Sequence, residues 1–573
     1  MKIRKNIFKY LGVAVISGGL LLACNEEFLD APPQGSLDSG TLANQFGVES
    51  SLIATYSLLD GFANFGGWGA AGSNWIFGSA ASDDAYKGSE PGDQQPTTDV
   101  ELFQWGTGGT DGYLNDKWRI VFDGAARANA TLNLMSTVEE ISDADRSRIS
   151  GEATFLRAHY HFEAYKYWGN IPYYTEADDQ SNTDGFRKEN SSDALPLILA
   201  DLDAAISSLP ESQADIGRVT QWTAKAYKGR VQAYTGDFNG AKSTLDDVVN
   251  NGPYALRDCF HDVFSAAEEN GSETVLAYQA SSNDGDSGGA NGNRNDRLNF
   301  PHGGSPFGCC GFHQPSQNLV NAFVVDENGL PANDNSFDDL LPVDTPVDPR
   351  LDWTAGRDDV PFLDWGAHAP GWIRDRAWAG PYSPKKNIYE ANAGVGSSVG
   401  WANYQLHSMN MHIYRYAEVL LLLAEAEMEV GSLERAREIV NEVRTRAGNC
   451  AQGPGTDASN VEVPIDDPSI TWANYQIGTY DEPWTDKEAA RQAVYTENRL
   501  ELAMEGHRFF NLRRWGIAEQ VLNDYIDVEK NRRNYLTGAA RYEGRHQLYP
   551  IPIVQIELSQ IDGKDRLVQN PGW

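Results

Sequence analysis

Three shortages narrow what this 573-residue chain can be. Basic residues are few: 46 Lys and Arg face 81 Asp and Glu, a formal charge of −35. The first 23 residues carry +4 and no acid, so the remainder stands at −39. Such a balance excludes nucleic-acid or anionic-membrane binding through bulk electrostatics. Long apolar runs are also missing. The longest, Leu11 to Leu22, is too short to span a bilayer as a helix, and no other stretch is apolar enough to cross one. Cysteine and histidine are sparse, at 5 and 10, and no two separated Cys pairs lie near histidines as a zinc site would want.

The short apolar run has its own meaning. Lys2, Arg4, Lys5 and Lys9 precede it and Ala23-Cys24 follows at once, the charge order of an export signal. Leu21-Leu22-Ala23-Cys24 resembles a bacterial lipobox, with cleavage after Ala23 and a lipid on Cys24. The expected division is a signal peptide over 1–23 and one body over 24–573, lipid-anchored and otherwise soluble. Of the other cysteines, Cys309 and Cys310 are adjacent. A vicinal disulfide there and a pair of buried free thiols are both compatible with an extracytoplasmic setting.

The body reads as helical. In Arg415 to Gly448, Ala417, Leu420, Leu421, Ala424 and Met428 recur at three-and-four spacing, and Leu433, Ala436, Val440, Val443 and Ala447 form a second stripe. Gly431, predicted left-handed, ends the first helix, and Ser432 caps the second. A related pattern runs from Ala224 to Val249. Gly229 and Ala241 are twelve apart, as are Ala424 and Ala436. Small residues at that interval suit tetratricopeptide-type pairs, which stack because each cannot bury its apolar face alone. Two unrelated antiparallel helices would show similar stripes.

Further helices are predicted around Leu52–Leu59, Trp118–Leu132, Ile149–Tyr160 and Leu195–Leu209. Helical repeats thus occupy mainly 45–60, 117–250 and 411–516. Between them lie irregular stretches, 61–116, 252–410 and 451–484, rich in Gly, Asp and large aromatics. Loops this long in a compact protein are functional or disordered, and the repeated aromatics argue for function. The 281–297 stretch has the wrong spacing for an EF-hand. In the last long helix, predicted from Lys487 to about Glu505, Glu497, Glu501 and Glu505 share one face. Paired carboxylates can serve a glycosidase, but Arg499, Arg508, Arg513 and Arg514 nearby favour a charged network.

In order along the chain, Cys24 with Phe28-Leu29-Asp30, Trp118-Arg119-Ile120, GEATFLRAHYHFEAYKYWGNIP (151–172), Gly217-Arg218-Val219-Thr220, RYAEVLLLLAEAE (415–427), ENRLELAMEGHRFFNLRRWG (497–516), Pro550-Ile551-Pro552 and Gln569-Asn570-Pro571 resemble the SusD/RagB family. These are nutrient-binding lipoproteins of the outer membrane. The resemblance implies a mainly α fold, with four tetratricopeptide-like pairs as scaffold and the loops as a glycan-binding part. It implies no catalysis and no cofactor or metal. The implied partners are an oligo- or polysaccharide and a SusC-like TonB-dependent transporter. Asn25-Glu26-Glu27 resembles the acidic tag that sends Bacteroidota lipoproteins to the cell exterior.

The resemblance places the site in Trp68 to Trp105 and Phe300 to His313. Expected stacking rings are Trp75, Phe307 and Phe312, with Trp68, Trp105, Trp372 and Trp378 as further candidates. Asp84 and His313 are the expected polar contacts. Tryptophan and tyrosine planes match a sugar's C–H face, and polar groups match its hydroxyls. Each ring also has an ordinary alternative as a loop anchor. Trp75→Ala with Phe312→Ala is expected to abolish glycan binding without unfolding. Acidity disfavours anionic polysaccharides such as alginate, leaving a neutral glucan, xylan or mannan. A surface glycoside hydrolase and a scaffold lipoprotein that binds no glycan are the competing readings.

Overall fold

The computed structural model describes residues 42–63, 67–106, 108–178, 182–286, 288–399 and 404–573. The leader, Cys24 and Trp401 lie outside the described residues. Helix dominates. The long helices are α1 (Gln45–Tyr56), α2 (Gly108–Ser136), α3 (Asp143–Trp168), α4 (Leu195–Ser208), α5 (Gln221–Tyr234), α6 (Phe238–Asn251), α7 (Tyr416–Val430), α8 (Leu433–Ala447) and α9 (Lys487–Glu501). From α2 to α9 each packs on its predecessor, so one apolar core runs the length of the stack. The stack crosses from α6 directly to α7, with the 252–415 excursion between them in sequence. The two hairpins that share the twelve-residue spacing are therefore neighbours. Lys242 Nζ and Glu427 Oε1 join them at 3.0 Å.

Small residues sit where helices approach most closely. A Cβ on Gly229 would lie 2.3 Å from Leu245 Cδ2. Gly229→Val should therefore cost about 1–3 kcal/mol by overpacking, read as a lower melting temperature. Gly431 does end α7, but its φ is −119°, not left-handed. A Cβ there would fall 1.9 Å from Glu427 Oε2, so a side chain would have to push the Glu427 carboxylate aside. Ser432 caps α8 as expected, accepting from Arg435 N at 3.2 Å. Helix α2 begins at Gly108, nine residues before the expected 117, and α9 stops at Glu501 rather than near Glu505.

The carboxylates of this last helix do form a network, with different partners from those expected. Glu497 meets Arg350 at 2.6 Å and Arg444 at 2.8 Å. Glu501 meets Arg350 at 2.9 Å and Arg415 at 2.6 Å, and also pairs with Arg446. Glu505, just past the helix, bonds Arg415 at 2.8 Å and Lys386 at 2.6 Å. Apart from the half-buried Glu505 these groups are buried, and they tie the loop residues Arg350 and Lys386 to the helical stack.

All four remaining cysteines are paired: Cys259 with Cys450, and Cys309 with Cys310. The first bridge closes a 191-residue separation and fastens the loop region to the end of α8. The C-terminal segments run across the helices, where Trp168 Nε1 donates to Pro550 O at 3.0 Å. Among the described residues no helix is long and apolar enough to cross a membrane.

Candidate functional site

The two loops expected to build the site are one structural unit. Strand Ala85–Gly88 pairs antiparallel with strand Phe312–Pro315. Ser316 then donates its N–H to Asp84 O at 2.9 Å and its hydroxyl to Asp83 O at 2.6 Å, while capping the short helix Gln317–Ala322. A third loop, 281–299, joins them. Trp75 Nε1 donates to Asn295 O at 3.2 Å, and Asn295 Nδ2 donates to Gly61 O at 2.7 Å.

That stitching determines which rings face inward. Trp75 is 1 % exposed, Phe307 and Phe312 are fully buried, and Trp105 and Trp372 are nearly so. Trp75 packs edge-on against Phe312 at 6.1 Å and tilted against His313 at 5.8 Å. Trp105 lies among Tyr549, Phe509 and His546. None of these rings offers a face to a ligand here, which corrects the expected stacking roles. The Trp75→Ala and Phe312→Ala pair would remove core rather than a platform, at about 3–5 kcal/mol for each ring.

The expected polar contacts are also structural. Asp84 is ion-paired with Arg499 at 2.8 Å. Beside it, burial would raise the Asp83 carboxyl, but the Arg499 and Arg508 guanidiniums hold it down at about 2. His313 is buried, and desolvation pushes its imidazole down to about 3, so it is neutral at physiological pH. Trp378 is half-buried and stacked on Tyr535 at 3.9 Å, with Lys87 Nζ 5.2 Å from its ring.

Of the nine expected positions, only Trp378 and one other, Trp68, reach the surface. It is half-buried, with the Arg297 guanidinium 5.4 Å from its ring. Phe62 repeats the arrangement, with Arg294 at 4.4 Å. Arginine over an aromatic face is a favourable contact that also fixes the ring.

Phe62 borders a cleft of about 620 Å³ at the end of α1, lined among others by Tyr56, Asp60, Arg127, Ile216, Gln279 and Asn291. Ile53 and Ile216 are 55 % and 76 % exposed at its edge. Tyr56 is held by its hydroxyl, which donates to Glu152 at 2.6 Å and accepts from Val219 N at 3.1 Å. Arg127 donates to Ala54 O at 2.9 Å. Burial pushes the Asp60 carboxyl up to about 8, against an N–H bond from Phe62. Asp60 is therefore protonated at neutral pH and able to donate as well as accept. The cleft with its Tyr56 and Phe62 rings offers apolar faces flanked by amide, carboxyl and guanidinium groups. Neither Asp60 nor Phe62 stood out in the sequence, where they fall at the junction of the first predicted helix and the irregular 61–116 stretch.

For metals the described residues hold one compact group, Cys259, Asp262 and Glu462. Cys259 is committed to its disulfide and offers no thiolate.

A body of stacked helices of this kind defines a helical-repeat protein. The chain belongs to the SusD family. That family's model matches residues 272–573. A second model, described as "Starch-binding associating with outer membrane", matches 69–232. Among curated relatives, SusD-like protein P38 of Formosa agariphila is 23 % identical over 566 residues, covering 93 % of this chain and 96 % of its own. Among solved structures, a laminarin-binding SusD-like protein superposes with TM-score 0.66 at 23 % identity, covering 92 % of this chain and 100 % of its own. Surface glycan-binding protein A from Bacteroides thetaiotaomicron, in complex with laminarihexaose, gives 0.64 at 19 % identity, with coverage of 92 % and 99 %. At these identities the structural likeness establishes the fold.

Proposed function

We propose that this protein captures a neutral oligo- or polysaccharide at the cleft bordered by Phe62. Tethered by lipid on Cys24 and facing the cell exterior, it delivers the glycan to a SusC-like TonB-dependent transporter. The observation that carries the reading is a 620 Å³ cleft rich in polar groups and bordered by the half-buried Tyr56 and Phe62 rings. Ring planes match the C–H faces of pyranoses, and the amides, phenol and guanidinium match their hydroxyls. Among glucan, xylan and mannan a glucan is favoured, because two neighbours of the same fold are named for laminarin or its hexaose. The net charge of −35 disfavours an anionic polysaccharide.

A binding role is also favoured over hydrolysis. Asp60 is the one carboxylate among the described residues lining the cleft, and glycosidases ordinarily use two. Titration calorimetry of the lipid-free body against laminarin, xylan and mannan tests the proposal. Saturable binding to one of them is expected, and no heat with any would refute it.

The pH profile should report Asp60. With its carboxyl at about 8, the proton it donates to a sugar hydroxyl is present below that pH and lost above it. Affinity should hold from about pH 6 to 7.5 and fall roughly tenfold by about pH 9, the worth of one good hydrogen bond. Asp60→Asn, which keeps a donor at every pH, should flatten the profile.

A further inference from the structure

A second cleft, of about 300 Å³, adjoins the first. Ile216, Gly217, Arg218, Ala277 and Gln279 line both. One strand, Thr274–Tyr278, is the common floor: Thr274 to Ala277 lie under the second cleft, and Ala277 to Gln279 under the first. At about 3.3 Å per residue that floor runs roughly 16 Å, longer than a single pyranose. Antiparallel pairing with Met411–Arg415 holds it in place. None of the second cleft's lining comes from 68–105 or 300–313.

The divide between the clefts is the contact of Gly217 with Gln279. Gly217 has φ +82°, and a Cβ there would fall 2.6 Å from Gln279 Cγ and Cδ, so the two segments meet as closely as glycine allows. The Gln279 amide is pinned: it exchanges bonds with the Asn270 amide at 2.9 and 3.0 Å and accepts from Asn410 Nδ2 at 3.0 Å. Gln279 is exposed, and Ile216 is 76 % exposed. Both are open to solvent, so the divide is a surface crossing and not a buried partition.

Beyond the crossing the second cleft again sets a ring among polar groups. Tyr254 is half-buried there, its hydroxyl 3.2 Å from Thr223 Oγ1 and its ring backed by Tyr416 at 6.2 Å. Thr223 and Thr220 form the capping box of α5, which fixes both hydroxyls at the helix start. Asn270 donates one amide N–H to Gln279, and its second is the donor it offers a ligand. Glu211 and Asp215 stand exposed on the outer rim, where carboxylates accept from sugar hydroxyls and repel an anionic chain.

We propose that the two clefts are one groove for a longer neutral glycan chain. The chain crosses at Ile216 and Gln279, and a pyranose past the crossing lies with its C–H face on Tyr254 and its hydroxyls toward Thr223 and Asn270. This rests on the carbohydrate reading above and gives that site a second subsite. A trisaccharide is held by the first cleft, whereas a polymer occupies both, and linked contacts multiply affinity.

The test is titration calorimetry on the whole lipid-free body with laminarin, xylan and mannan and their trisaccharides. The proteins are wild type, Tyr254→Ala and Ser212→Trp; Ser212 is exposed and lines only the second cleft, so a ring there narrows its mouth. Expected is a loss of about 5- to 20-fold for the bound polymer in both variants, with trisaccharide affinity within about twofold of wild type. Melting curves check the fold. Should Tyr254→Ala be destabilised, Ser212→Trp decides alone, since that position is at the surface. Polymer affinity in Ser212→Trp at or above the wild-type value, with wild type binding normally, overturns the shared groove and leaves the carbohydrate reading standing. A wild-type protein that binds none of the glycans overturns both.

Discussion

Glu501→Ala should destabilise the protein by about 3–5 kcal/mol, the usual consequence of removing one partner from a buried ion pair. Burial would raise the Glu501 carboxyl, yet the Arg446, Arg415 and Arg350 guanidiniums and the Lys386 ammonium hold it well below the usual range. With the carboxylate gone, Arg350 and Arg415, 0 % and 1 % exposed, would keep Glu497 and Glu505 as partners but lose the acid that joins them, leaving the buried cluster with one positive charge in excess. Arg350 belongs to the loop region and Arg415 to the start of the stack, so the loss should also loosen their junction. Chemical denaturation followed by tryptophan fluorescence would read it as a lower midpoint. Glu505, held at about 2 by Arg415 and Lys386 against the pull of burial, adds an acid limb. A depressed carboxylate contributes stability that is complete above its unfolded value of about 4.5 and lost as pH falls toward 2. Acid unfolding should therefore begin below about pH 4.

Phe62→Ala combined with Trp68→Ala should remove measurable glycan binding while leaving the melting temperature nearly unchanged. Both rings are half-buried, Phe62 at the cleft itself. At about 1–2 kcal/mol per ring face, the pair is worth roughly 30- to 700-fold in affinity. The proposed release to a transporter calls for moderate affinity, and such a loss carries it beyond detection. Trp75→Ala is the contrasting control. Its ring is 1 % exposed, so it should lower stability first and affect binding only through the loops it supports. Isothermal titration paired with thermal melts separates the two outcomes.

The helical frame was legible because its signal is local. Stripes such as Leu433, Ala436, Val440 and Val443 need only the 3.6-residue period, and the Gly229–Ala241 interval follows from close packing within a hairpin. The carboxylate row on α9 was visible for the same reason, but its partners were not. Arg350 lies 147 residues from Glu497, and the sequence neighbours Arg499 and Arg508 bind Asp83 and Asp84 instead.

The rings were misplaced for a related reason. A loop tryptophan's orientation is set by contacts distant in sequence, as when Trp75 finds Asn295 220 residues away. Burial is non-directional, so a large aromatic satisfies a core or a sugar platform equally well. Phe62, flanked by glycine and alanine, gave no period to read, and Arg294 sat in a low-complexity stretch. Only folding brings the two within 4.4 Å.

The central claim is that loops carried on stacked helices bind a neutral glycan without cleaving it. Native electrophoresis of the lipid-free body through gels containing laminarin, xylan or mannan, with a reducing-end assay on the same polymers, tests this most directly. Retarded migration in at least one gel and no release of reducing ends is the predicted result. Unretarded migration in all three, or retardation accompanied by reducing-end release, would contradict it.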